Sequence, residues 1–278
     1  MSRPLPVALA CLLAASVPFA AGDGKQDAEP AWKTLIPPTE FAPVVAEAVR
    51  AVEKDLAVAD KDPQARVRAR GTALMVAAYA QGSIKGDGAD ARQRAALRDA
   101  ALKLAGTINE KRLADAVKLA RALPEAKATD ATKTAAALVK SDDRDELVPD
   151  LMALFRTRAR GGLGLLPRPS DPRHDGIEAR LDLLANRTQT KDDLARQADG
   201  VALTAYQAAA IADLVHALSP AKKEGDKDPK DWRRWSRDLR QASADLADAA
   251  RARDPEKVRK AAGMAGGACN DCHKVFRE

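Results

Sequence analysis

Cys269-Asn-Asp-Cys272-His273-Lys-Val-Phe276-Arg277 is the stretch on which the fold reading turns. Residues three and four apart share a face of a helix. If this segment is helical, Cys269, Cys272 and His273 project to one side, with Phe276 one turn further on. C-x-x-C-H is the spacing at which c-type haem is attached. Two sulfurs on one face can reach the two vinyl groups on one porphyrin edge and form thioethers. The histidine after the second cysteine then lies under the ring centre and offers a nitrogen to the iron. Cys269 and Cys272 are therefore candidate covalent anchors, and His273 is the candidate axial ligand of haem iron.

Three other chemistries use the same residues. A zinc site would need a fourth ligand, and structural zinc sites commonly pair two such clusters; the sequence has one. A redox C-x-x-C sits at a helix N-terminus after a strand, whereas this motif ends a helical pattern. A plain disulfide leaves His273 unexplained.

The upstream sequence suits that setting. The chain has 278 residues, with 3% aromatic and 31% charged, and Ala and Leu dominate its apolar set. Such a composition favours closely packed amphipathic helices over a β-sandwich. The net charge of +6 is spread among many acidic residues, so it reads as solvated helix faces that could steer an acidic redox partner. Nucleic acid is not an expected partner, because no concentrated basic stripe with stacking aromatics is present.

The N-terminus reads as a signal peptide, residues 1–22: Arg3, an apolar run from Leu5 to Val17, then small residues at Ala20-Ala21-Gly22. The run is too short to span a bilayer. No stable membrane insertion of the mature chain is expected, and export to a periplasm is. Cys11 would leave with the signal, so the mature chain keeps only the motif cysteines and no competing disulfide can form.

Residues 23–39 read as a linker. Residues 40–160 read as a helical domain without haem, with apolar residues at helical spacing from Phe41 and a helix opening at Asp62-Pro63. A third helix is expected over about Ala89 to Ala105, with Asn109 capping a fourth that Pro124 closes. Further pieces cover about Ala131 to Val139 and Glu146 to Arg158. Gly161-Gly162 through Pro172 mark a Gly/Pro-rich linker, residues 161–176. The last domain, 177–278, has four helical stretches: Ile177 to Arg187, Lys191 to Leu218, Asp228-Pro229 to about Arg253, and Asp254-Pro255 onward. Short connections argue for an all-α, up-down-up-down four-helix bundle. Its topology gathers Ile177, Leu181, Val215, His216, Leu218, Trp232 and Trp235 around the motif.

With these residues in view, the last domain resembles a class II c-type cytochrome, the cytochrome c′ group. The resemblance rests on Trp232-Arg-Arg-Trp235-Ser-Arg-Asp-Leu239, Asp254-Pro-Glu-Lys-Val258 and the terminal C-x-x-C-H-x-x-F-R. It implies one covalent haem c on the last helix of a four-helix bundle. Phe276 and Trp235 would pack on the porphyrin, and Arg277 would place charge near its edge. The first helix is shorter than the family's, and no Met lies between Ile177 and Arg187, where six-coordinate members carry a Met ligand. Met264 is nine residues before His273, about 13 Å along the axis, and cannot reach the far face. His216 is the candidate sixth ligand, with His174 a weaker one; the default is a five-coordinate iron with an apolar distal side.

The first half echoes the second. Gly71-Thr-Ala-Leu74 parallels Gly200-Val-Ala-Leu203, and Asn109-Glu-Lys-Arg-Leu113 parallels Asp254-Pro-Glu-Lys-Val258. On that register Pro124 and Ala128 stand where Cys269 and His273 stand, so the first half is either a related bundle without haem or an unrelated helical arm. No nucleophile elbow, phosphate loop or second metal cluster marks an enzyme. The expected function is electron transfer by an exported mono-haem cytochrome, with NO or CO binding as the alternative. The expected partners are a redox protein, those gases and a second copy in a homodimer.

Overall fold

The computed structural model describes residues 35–129, 132–133, 138–165 and 174–276. The expected signal peptide with Cys11, most of the expected first linker and Arg277 lie outside these residues. So do most of the helix expected at 131–139 and the middle of the second linker.

Nine α-helices and no strand occur among the described residues. They are α1 (Pro38–Leu56), α2 (Pro63–Gly82), α3 (Ala89–Asn109), α4 (Leu113–Ala122), α5 (Arg144–Ala153), α6 (Ile177–Asn186), α7 (Lys191–Ala217), α8 (Pro229–Arg251) and α9 (Pro255–Phe276). Three open on an Asp-Pro pair. Asp62 accepts from the Gln64 amide at 2.9 Å, Asp228 from Lys230 at 2.8 Å and Asp254 from Lys257 at 3.1 Å. Each cap satisfies an otherwise orphaned amide, and proline fits the first turn, which needs no donor. Thr190 and Asp193 form a reciprocal capping box at the start of α7.

Helices α6 to α9 form a ring in which α6 meets α7, α7 meets α8, α8 meets α9, and α9 returns to α6. Helices α1 to α4 repeat that ring in the same order. The first half is therefore a second four-helix bundle. One expectation there needs correction. Asn109 does not cap a following helix; α3 runs through it, Lys111 turns the chain at φ 59°, and α4 begins at Leu113. Glu146 to Arg158 likewise divides into α5 and a 3-10 turn at Arg158–Arg160.

Helices α2 and α7 are buried on every side over Ala73–Ala80 and Ala208–Val215, with Asp213 the one charged residue in either run. A helix apolar all round is a core helix. Each has its own bundle on one side and the other bundle's long helix on the opposite side. Glu40, in the first turn of α1, accepts from Tyr206 Oη at 2.6 Å and Arg251 Nε at 3.0 Å. Asp213 and Arg240 lie 2.7 Å apart, buried beside Leu35, Ile36 and Tyr79.

The described ends of the Gly/Pro-rich linker are firmly held. The Arg158 amide donates to Asp175 O, the Glu178 amide to Phe155 O, and the Leu165 amide to Asp175 Oδ1 at 2.6 Å. A Cβ on Gly176 would lie 2.7 Å from the Thr157 nitrogen, so the backbones approach as only glycine permits. The start of α6 is thus fastened to the segment that follows α5.

Candidate functional site at the end of the second bundle

Helix α9 presents a stripe of small buried residues, Val258, Ala261, Ala262, Ala265 and Ala268. Their size lets α6 and α8 come close. The same stripe continues into Cys269, Cys272 and Phe276, which are half-buried against the core. His273, one turn after Cys269, is half-buried as well. Asn270, Asp271 and Lys274 face outward, with Lys274 Nζ 2.8 Å from Asp271 Oδ1. Met264 is 49% exposed, on the side away from the stripe.

Both thiols are free. Burial, with Cys272 and then Glu178 adding negative potential, pushes the Cys269 thiol up to about 12. Burial pushes Cys272 up to about 11. Redox C-x-x-C pairs work the other way, at helix N-termini that stabilise a thiolate. Here the pair lies in the last turns of a helix, where the dipole opposes negative charge. The motif therefore holds two neutral thiols. Among the described residues, no group of three or more His, Cys, Asp or Glu side chains is placed to hold a bare metal ion.

The walls come from three other helix ends. Ile177 and Leu181 on α6 are buried, and Glu178 beside them acts electrostatically on Cys269. Phe276 meets Trp232 edge-on at 4.9 Å and Trp235 at 6.1 Å between ring centroids. Trp232 is 4% exposed, and its indole N–H donates to Val215 O at 2.7 Å. That bond joins the end of α7 to the start of α8. The structure thus gathers Cys269, Cys272, His273, Phe276, Trp232 and Trp235 at one end of the bundle, as the topology predicts.

His216 sits differently. Its Nδ1 lies 2.9 Å from Ser236 Oγ. Burial, then the charge of Arg237, lowers its pKa. It meets the flank of α8 that carries Arg233, Ser236 and Arg237, while Phe276 meets the flank of Trp232 and Trp235. His174 stands three residues before α6 and is half-buried.

Two buried or ring-stacked arginines escaped the sequence reading. Arg180 on α6 is lowered by burial and donates to the neutral amide oxygen of Gln197. Its signal was present: it falls within the Ile177, Leu181, Leu184 stripe at helical spacing. Arg144, at the start of α5, holds its guanidinium 5.3 Å from the Trp232 ring centroid. It lies in an acidic stretch of the first half with no local pattern to distinguish it.

The donor set fits a covalently attached haem. Free thiols at the right spacing, an imidazole on the same stripe and an aromatic wall are what an iron porphyrin requires.

Residues 175–277 match the protein-family model described as Cytochrome C′. The match starts two residues before α6 and ends one after α9, so it covers the second bundle and leaves the first outside. No curated protein and no solved structure matches the chain.

Proposed function

Taking the second bundle as a cytochrome c′ domain, consistent with a class II c-type cytochrome, we propose that the chain is an exported mono-haem c-type cytochrome that carries electrons in a periplasm. Cys269 and Cys272 would hold the porphyrin by thioethers, and His273 would offer a nitrogen to the iron. Phe276, Trp232 and Trp235 exclude water from one side. When bound, haem supplies a one-electron couple. The protein's part is to fix the axial ligand and keep the environment apolar, which sets the potential. The supporting observation is the pair of neutral, free thiols in line with His273 on the buried stripe of α9.

A second reading is favoured by the α6 side. Ile177 and Leu181 are apolar, α6 has no Met, and His216 is engaged with Ser236. An iron left five-coordinate there would bind NO or CO. Among the described residues, no helix is long and apolar enough to cross a membrane. An absorption spectrum of the reduced protein with and without CO separates the two readings. A low-spin spectrum indifferent to CO supports electron transfer alone. A high-spin spectrum that shifts with CO adds gas binding.

A further inference from the structure

The first bundle has a cavity at the corner where the second holds its motif. It is lined by Phe41 and Val45 from the first turns of α1, Arg94 and Leu97 from α3, and Leu123 and Pro124 just past α4. In the second bundle the corresponding places are the start of α6, the start of α8 and the end of α9. The first bundle has no Cys or His in its described residues, and α4 stops after ten residues at Leu123-Pro124. Among the described residues it therefore offers neither a thiol to form a thioether nor a histidine to ligate iron. The cavity volume is about 200 Å³.

What remains has its own chemistry. Phe41, Val45, Leu97 and Leu123 are buried apolar walls. The Arg94 guanidinium lies 3.5 Å from the Phe41 ring centroid. An arginine stacked on a ring keeps its in-plane N–H fork available for a carboxylate. Among the described residues no carboxylate pairs with Arg94; Asp90, one turn earlier, acts on it only at a distance. Partial burial of this cation costs free energy until an anion meets it. An apolar cavity of about 150 Å³ suffices to hold one benzene ring.

We propose that this corner of the first bundle binds a small aromatic carboxylate, with the ring among Phe41, Val45, Leu97 and Leu123 and the carboxylate on Arg94. The reading is independent of the haem assignment, because no lining residue belongs to the second bundle.

The test uses the mature, haem-loaded chain and benzoate as the probe, followed by calorimetry and by the Soret band. At the efficiency of drug-sized ligands, a nine-atom molecule binds with a Kd of about 10 mM; a matched cavity should do better. Benzoate is expected to bind saturably below that value without moving the Soret band. Benzamide, of the same shape without the charge, should bind at least about tenfold more weakly, which is the loss of one charge-assisted contact. Arg94→Leu should bring benzoate down to the benzamide level, and Arg94→Lys should recover part of the loss. The benzoate–benzamide comparison needs no variant, so the test survives if Arg94→Leu misfolds. A Kd above about 10 mM, equal binding of benzoate and benzamide, or binding that moves the Soret band and ignores Arg94→Leu would overturn the proposal.

Discussion

Replacing Trp232 by Phe probes how the end of the second bundle is held. Two contributions are lost. The indole N–H donates to Val215 O at 2.7 Å. That carbonyl also accepts from the Leu218 amide at 3.1 Å, so it is not orphaned, and the loss is the net value of one hydrogen bond, about 1 kcal/mol. The ring is almost fully buried, edge-on to Phe276. Removing the atoms of the second ring leaves a small void worth about 1–2 kcal/mol. The sum is about 2–3 kcal/mol. The two bundles pack as one compact unit, and for a unit of roughly 250 residues each kcal/mol moves Tm by about 2–4 °C, so a fall of about 4–12 °C is expected. Trp235 is the control: it is half-buried and touches Phe276 at the longer distance. Trp235→Phe should cost under about 1 kcal/mol. Thermal unfolding of the haem-loaded protein, read at the far-UV helix signal and at the Soret band, measures both. A Trp232→Phe variant as stable as the parent, or a larger loss for Trp235→Phe, would refute the assignment of Trp232 as the strut between α7, α8 and α9.

Three further outcomes are expected. Burial raises Asp213 from 3.8 to about 7 despite Arg240. The folded state therefore keeps this proton after the unfolded state has lost it, and stability falls as pH rises from about 4 to 7, by up to about 1.4 kcal/mol per unit. Urea unfolding midpoints at several pH values should show this slope, and Asp213→Asn should flatten it; an unchanged slope would remove Asp213 as its source. In reduced protein without haem, iodoacetamide should alkylate Cys269 and Cys272 at least about tenfold more slowly in the folded state than in denaturant, because both thiols titrate well above their ordinary range. His273→Ala should leave haem attached while shifting its spectrum; loss of haem from that variant, with both cysteines intact, would assign the anchoring wrongly.

Much of the second bundle could be read from the sequence because its signals are local. Asp228-Pro229 and Asp254-Pro255 start helices wherever they occur, and the C-x-x-C-H spacing selects one helix face. Short connections then fix which helix ends meet, which brought Trp232, Trp235 and Phe276 together in advance. What could not be read depends on distant partners. Nothing near Glu40 announces Tyr206 and Arg251, and nothing near Arg144 announces Trp232. The runs Ala73–Ala80 and Ala208–Val215 read as ordinary amphipathic helices only while each half is considered alone. With Asp213 their one charged residue, they signal packing on both sides, by α2 against α7. His216 shows the limit of placement by topology: the correct end of the bundle was predicted, but a single hydrogen bond to Ser236 decides which flank of α8 the ring meets.

The central claim is that the end of α9 carries a covalently bound iron porphyrin. Acid–acetone extraction of the mature chain from a host that matures c-type cytochromes, followed by a pyridine haemochrome spectrum of the precipitated polypeptide, tests it most directly. One haem per chain, remaining with the polypeptide and showing both vinyl groups saturated, is the predicted result. A colourless precipitate with two titratable thiols, or haem released into the solvent, would contradict it.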